Sequence, residues 1–83
     1  MNFVAEIDVM PLKELLDPQG KAVAVGLHNL HLEGINDVRI GKHITLKLEA
    51  ADKAAATEKV ETACKKLLTN RVIEYFQYEV TEG

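Results

Sequence analysis

From Phe3 to Val9 the odd positions Phe3, Ala5, Ile7 and Val9 are apolar, while Glu6 and Asp8 fall between them. That period of two predicts a strand over 3–10 with one buried face. The period then changes. Val23, Gly26, Leu27 and Leu30 recur at i, i+3, i+4 and i+7, and Asp17-Pro18 supplies an N-cap and a first-turn proline. A helix is therefore predicted from about Pro18 to about Leu32, with Gly34 as its left-handed terminator. Val38 and Ile40 alternate with Asp37 and Arg39, and Ile44, Leu46 and Leu48 alternate with His43, Thr45 and Lys47, which predicts two more strands. A two-residue turn at Gly41-Lys42 would set Ile40 against His43 and mix the faces. A three-residue connection, Gly41-Lys42-His43, pairs Ile40 with Ile44 and Val38 with Leu46.

A second helix, capped by Asp52, puts Ala56, Val60, Ala63, Cys64, Leu67 and Leu68 on one face, and Asn70 is expected to end it. Phe76, Tyr78 and Val80 then alternate with Tyr75, Gln77 and Glu79 as a closing strand. The predicted order β-α-β-β-α-β is an α+β, ferredoxin-like split β-α-β fold in one domain over 1–83. Right-handed crossovers give a four-stranded antiparallel sheet with two helices on one face, the first and third strands central and the second and fourth at the edges. The other face is uncovered. Val4, Met10, Ile73 and Tyr75 are placed there as an apolar patch among Glu6, Asp8, Arg39, Thr45, Lys47, Glu49, Gln77 and Glu79. Self-association is expected through that face.

Composition narrows the partners. Ten Lys and Arg stand against thirteen Asp and Glu, a formal charge of -3 and the wrong sign for neutralising nucleic-acid phosphates. No run approaches a membrane span, and "MNFVAEIDV" lacks the basic start and uninterrupted apolar stretch of a signal peptide, so a cytoplasmic protein without nucleic-acid or membrane partners is expected. The single cysteine, Cys64, has no partner for an internal disulfide.

Gly41-Lys42 invites a test for a phosphate-binding loop, because G-x-x-x-x-G-K-[ST] between a strand and a helix cradles phosphate with backbone N–H groups. Here the first glycine position holds Asn36, His43 follows the lysine, and the chain continues into a strand rather than a helix. The motif fails. His28 and His31 lie three apart on the first helix, but no third metal ligand accompanies them, and they read as surface or rim histidines. Cys64 sits on an apolar helix face, where cysteine acts as a small core residue. An acylphosphatase-like site needs Gly, Arg and backbone donors after the first strand; "MPLKELLDPQG" has no Arg and carries Glu14 and Asp17. No catalytic, cofactor-binding or metal residue is predicted. A stand-alone small-molecule-binding regulatory module of this topology remains the alternative reading.

Three stretches together, "LLDPQGKAV" with "LHNL", "DVRIGKHITLKLE" and "CKKLLTNRVIEYFQYEV", resemble the PurS family, small subunits of phosphoribosylformylglycinamidine synthase. The resemblance spans nearly the whole chain, with D-P-Q-G, V-R-x-G-K and L-x-N-x-V-I-E in order. It departs at Arg71, where the family commonly has Pro, and at Tyr75, where a small polar residue is common. The resemblance implies a subunit without an active site of its own in purine biosynthesis. The enzyme converts formylglycinamide ribonucleotide to formylglycinamidine ribonucleotide, with ATP, Mg and glutamine used by the partner subunits. Implied partners are the glutaminase subunit, the large synthetase subunit and the chain itself, as a dimer or tetramer. Arg39, Gly41, Lys42 and Tyr75 are the expected partner-interface residues, the first three because V-R-x-G-K contains them.

Overall fold

A computed structural model describes residues 1–83. Strand β1 (Asn2–Pro11) leads into helix α1 (Pro18–Asn29), and β2 (Lys42–Glu49), α2 (Lys53–Ala63) and β3 (Glu74–Glu82) follow. β1 lies between the other two strands and runs antiparallel to both, in the order β2-β1-β3. Ile7 stands opposite Ile44 and Tyr78, and Ala5 opposite Leu46 and Val80, so every apolar row shares one side. α2 covers that side. Phe3, Ala5, Ile7 and Val9 are buried against Ala56, Val60, Cys64 and Val80, while Phe76 stacks on Tyr78 with ring centroids 6.2 Å apart.

The sheet has three strands, which corrects the four-stranded ferredoxin-like expectation. Residues 37–40 alternate like a strand, yet their polar groups are claimed elsewhere. The Ile40 N–H donates to Asp17 Oδ2 at 2.7 Å, and the Arg39 guanidinium donates to the carbonyls of Leu12 at 2.6 Å and Leu15 at 3.1 Å. Alternation reports a two-sided environment; it does not report which groups satisfy the backbone. The three-residue hairpin at Gly41-Lys42-His43 is consequently absent. Lys42 pairs directly with Val9 on β1, and β2 is an edge strand rather than a central one.

The placement of both helices on one face is also corrected. α2 packs on β1 and β3, but α1 makes no comparable contact with the sheet. Instead α1 and the returning segment 36–40 extend from the body as an arm, and the molecule measures 51 × 26 × 14 Å. Gly20 is what lets the two halves of the arm close. A Cβ there would collide with the Val38 carbonyl oxygen.

Both helix ends show local chemistry that the periodicity did not separate. α1 stops earlier than Leu32, with Leu30 as its C-cap and His31 in the left-handed region at φ 62°. The His31 N–H donates to His28 O at 2.9 Å and the Leu32 N–H to Leu27 O at 3.3 Å, the paired bonds of a Schellman motif. His31 therefore does the work expected of Gly34. Since a side chain in that region is strained, His31→Gly is expected to raise the melting midpoint by about 4 °C, measured by thermal unfolding. α2 ends in a π-helical turn, Cys64–Leu68, closed by the Thr69 N–H on Cys64 O at 3.1 Å. Asn70 is not left-handed; its side-chain oxygen accepts from the Val72 N–H at 3.2 Å, and its carbonyl takes the Glu74 N–H at 2.7 Å.

Candidate functional site

Two regions gather polar chemistry, and both are built by β1. The first is the base of the arm, where the chain crosses from 36–40 into β2 beside the end of β1. Asp17 is buried there and serves two segments at once: Oδ1 accepts the Gly20 N–H at 2.9 Å as the helix cap, and Oδ2 accepts the Ile40 N–H. Those two N–H groups, with Arg39 nearby, hold its carboxyl below the usual carboxylate range. The sequence identified the cap and missed the second bond, because nothing in a pattern of spacings links residue 17 to residue 40.

Three of the four expected interface residues meet at this base, and the fourth stands beside them. Arg39 points inward and pins the 12–15 loop through its two carbonyl bonds. Gly41 passes so close to β1 that a Cβ would strike Val9 O and Met10 Sδ. Lys42 reaches Glu74 across the end of β1 at 3.9 Å, with its side chain still half exposed. Tyr75 is the cross-strand partner of Met10, on the opposite side of the sheet from the helix. Lys42 and Tyr75 thus offer side chains to the surroundings, while Arg39 and Gly41 shape the base beneath them.

The second region is the open sheet face. Register places Asp8 opposite His43 and Gln77, and Glu6 opposite Thr45 and Glu79. His43 Nδ1 lies 2.6 Å from Asp8 Oδ1, its Nε2 contacts Glu6 Oε2, and the Thr45 hydroxyl donates to the same Glu6 oxygen at 3.0 Å. A ring bonded to carboxylates through both nitrogens is the imidazolium. The Asp8 and Glu6 bonds raise the His43 pKa, and His43 with Thr45 lowers that of Glu6. The constellation was legible in principle, since pairing Ile7 with Ile44 puts Asp8 opposite His43.

The signs fix a pH window. The His43 contribution is fully present below its unfolded pKa of about 6.5 and is lost as pH rises through the raised folded value. The Glu6 contribution is present above its unfolded value of about 4.3 and is lost as pH falls through the lowered folded one. The difference in melting midpoint between the wild type and His43→Gln is therefore expected to be largest near pH 6 and to shrink above pH 8. Melts at a series of pH values check it.

The remaining reactive side chains lie outside both regions. Cys64 is fully buried and burial pushes its thiol pKa up, away from a nucleophilic thiolate. No group of three or more His, Cys, Asp and Glu side chains is arranged to hold a metal ion. His28 and His31 lie on the exposed arm. No helix is long and apolar enough to cross a membrane. What the geometry provides is shape: a thin sheet, a charged open face and a projecting arm with a braced base.

Residues 4–82 match the family model PurS, described as phosphoribosylformylglycinamidine (FGAM) synthase. The chain belongs to the PurS family. The phosphoribosylformylglycinamidine synthase subunit PurS of a Synechocystis species is 49% identical over 80 residues, covering 96% of this chain and 80% of the relative. A crystal structure of Bacillus subtilis PurS superposes with a TM-score of 0.86 at 40% identity, covering 96% of this chain and 99% of that one. A chain of the PurLQS structure from Thermotoga maritima gives a TM-score of 0.90 at 32% identity, over 98% and 99% of the two chains. These solved PurS chains follow the three-stranded form with its arm nearly end to end, so the detached α1 belongs to the PurS fold and not to this chain alone.

Proposed function

We propose that this chain is the non-catalytic small subunit of a phosphoribosylformylglycinamidine synthase in de novo purine biosynthesis. It associates with itself as a dimer or tetramer and joins a glutaminase subunit to a large synthetase subunit, in the cytoplasm. The observation that carries this reading is the end-to-end likeness to a chain of the Thermotoga maritima PurLQS structure. ATP, Mg and glutamine are used by the partner subunits, and this chain contributes surface. Ammonia released into water is lost to protonation and diffusion, so the two enzymes gain from being held in register around a sealed passage. Lys42 and Tyr75 meet a partner subunit at the base of the arm, where Arg39 and Gly41 set the backbone that presents them.

Reconstitution tests this. With purified glutaminase and synthetase subunits, omitting the chain is expected to lower glutamine-dependent formation of formylglycinamidine ribonucleotide about tenfold or more, while activity with added ammonium salt persists. Equal glutamine-dependent rates with and without the chain would reject the joining role.

A further inference from the structure

We propose that the apolar groove at the base of the arm seats a partner-subunit segment of one chemistry: an apolar side chain enters the groove, and a carboxylate next to it takes Lys42 from Glu74. This rests on the joining role proposed above and gives that role a location and a recognition rule. The groove lies where three pieces of chain meet, the 11–19 stretch, Ile40 and Ile73-Glu74, and encloses about 410 Å³. That volume is at the small end of the about 300–1,000 Å³ of preformed pockets, enough for one or two side chains. Leu15, Leu16, Ile40 and Ile73 line it together with Pro11 and Pro18.

Its walls are held in place by hydrogen bonds, so it does not collapse on itself. The Leu12 N–H donates to Ile73 O at 2.9 Å and ties the loop after β1 to the start of β3. Arg39 holds the carbonyls of Leu12 and Leu15, and Asp17 holds the Ile40 N–H, which ties in the returning segment. Pro11 and Pro18 stiffen the loop further through their fixed φ angles. The chain therefore keeps apolar surface in water: Leu16 is 74% and Ile73 47% exposed. A site already in its binding shape has little ordering cost on association. The same bonds disfavour a polar small molecule, because Asp17 and Arg39 already serve backbone partners and few polar atoms converge on the groove.

Charge selects the guest. Lys42 reaches the rim through Glu74, at 3.9 Å, and the exposed Lys13 and Arg71 enter no ion pair. Glu74 does not depend on Lys42, since its Oε1 accepts the Asn70 N–H at 2.8 Å. Turning Lys42 toward a partner thus leaves no carboxylate stranded. With Arg39, four of the ten Lys and Arg stand at this base, against Glu14, Asp17 and Glu74 of the thirteen Asp and Glu. The base is net positive on a chain whose formal charge is -3, so it attracts an acidic segment and repels a basic one.

The test uses the full chain, with the purified glutaminase and synthetase subunits as probes, and reads the dissociation constant of the assembly. Leu16→Ser and Ile73→Ser, which alter exposed side chains, are each expected to raise it about tenfold at low and at high salt alike. Lys42→Glu is expected to raise it about tenfold at low ionic strength, with most of that loss gone at about 1 M salt. Lys53→Glu makes the same charge change beside the opposite end of the sheet and is expected to leave assembly unchanged. The isolated variants are expected to keep the wild type's mass in sedimentation equilibrium. Groove variants that assemble as tightly as the wild type, a Lys42→Glu loss that salt does not relieve, or an equal loss from Lys53→Glu would each overturn the proposal. So would a groove variant with an altered mass on its own, which would give the groove to a second copy. In all these outcomes the wild type still assembles and the joining role stands; a wild-type chain that binds neither subunit ends both readings.

Discussion

Asp17→Ala is expected to lower the melting midpoint by about 10 °C and to loosen the arm before the sheet. The substitution removes two acceptors that act on different parts of the chain. Loss of Oδ1 frees the Gly20 N–H at the start of α1, and loss of Oδ2 leaves the partly buried Ile40 N–H with no acceptor. An orphaned buried donor costs more than a made bond gains, so the second loss outweighs the first. It also removes the carboxylate beside Arg39, whose guanidinium ties the 12–15 loop to the returning segment. Asp17→Asn separates the two losses: it keeps one oxygen as an acceptor but turns an NH₂ group toward one of the two N–H donors, and its midpoint should fall between those of the wild type and the alanine variant. The pH dependence has a definite sign. Asp17 has a lowered folded pKa, so its contribution is present above its unfolded value of about 3.9 and disappears as pH falls through the folded one. The gap between the wild type and Asp17→Ala should therefore close in acid. Thermal melts by circular dichroism at pH 7 and below pH 3, with hydrogen exchange to compare α1 with β1, check each part.

Much of this was legible because strand parity is strict. Phe3, Ala5, Ile7 and Val9 on one face, with Ile44, Leu46, Leu48, Phe76, Tyr78 and Val80, give the buried side of all three strands without reference to coordinates. Asp17 and Asp52 as N-caps were equally local decisions, and both accept the N–H three residues on. The failures share one cause. Residues 37–40, the end of α1 and the packing of α1 are each decided by partners far along the chain, or by the lack of any. A stripe on α1 indicates that something covers it; the periodicity does not say whether the cover belongs to the same sheet. The fourth strand was inferred from a pattern that an extended segment bonded to side chains displays just as well.

The same limit applies to the site. V-R-x-G-K is brought to the base of the arm, and the residues in it differ in what they do. Arg39 and Gly41 bind and approach their own chain, whereas the exposed Lys42 side chain is held only by a long, weak ion pair. An exposed pair at 3.9 Å contributes little to stability, which leaves Lys42 free to exchange Glu74 for an acidic group on a partner at small cost. A cation that is loosely held at home is a better docking residue than one already satisfied, and by that criterion Lys42 outranks Arg39.

Gly41→Ala separates a structural glycine from an interface glycine, and it is expected to destabilise the chain by about 2–3 kcal/mol. The φ of Gly41 is not in the left-handed region, unlike that of Gly34 at 87°. The requirement is space. A Cβ at 41 would meet Met10 Sδ, which can swing away, and the backbone oxygen of Val9, which cannot move without breaking the ladder between β1 and β2. At Gly34, where nothing lies within 4 Å of the added carbon, alanine meets only the conformational penalty of about 1 kcal/mol. Chemical denaturation should thus rank Gly41→Ala well below Gly34→Ala in midpoint with similar slopes. If Gly41→Ala instead unfolds like the wild type and only weakens assembly with the synthetase and glutaminase subunits, the glycine acts at the interface, and the close approach to β1 is not what requires it.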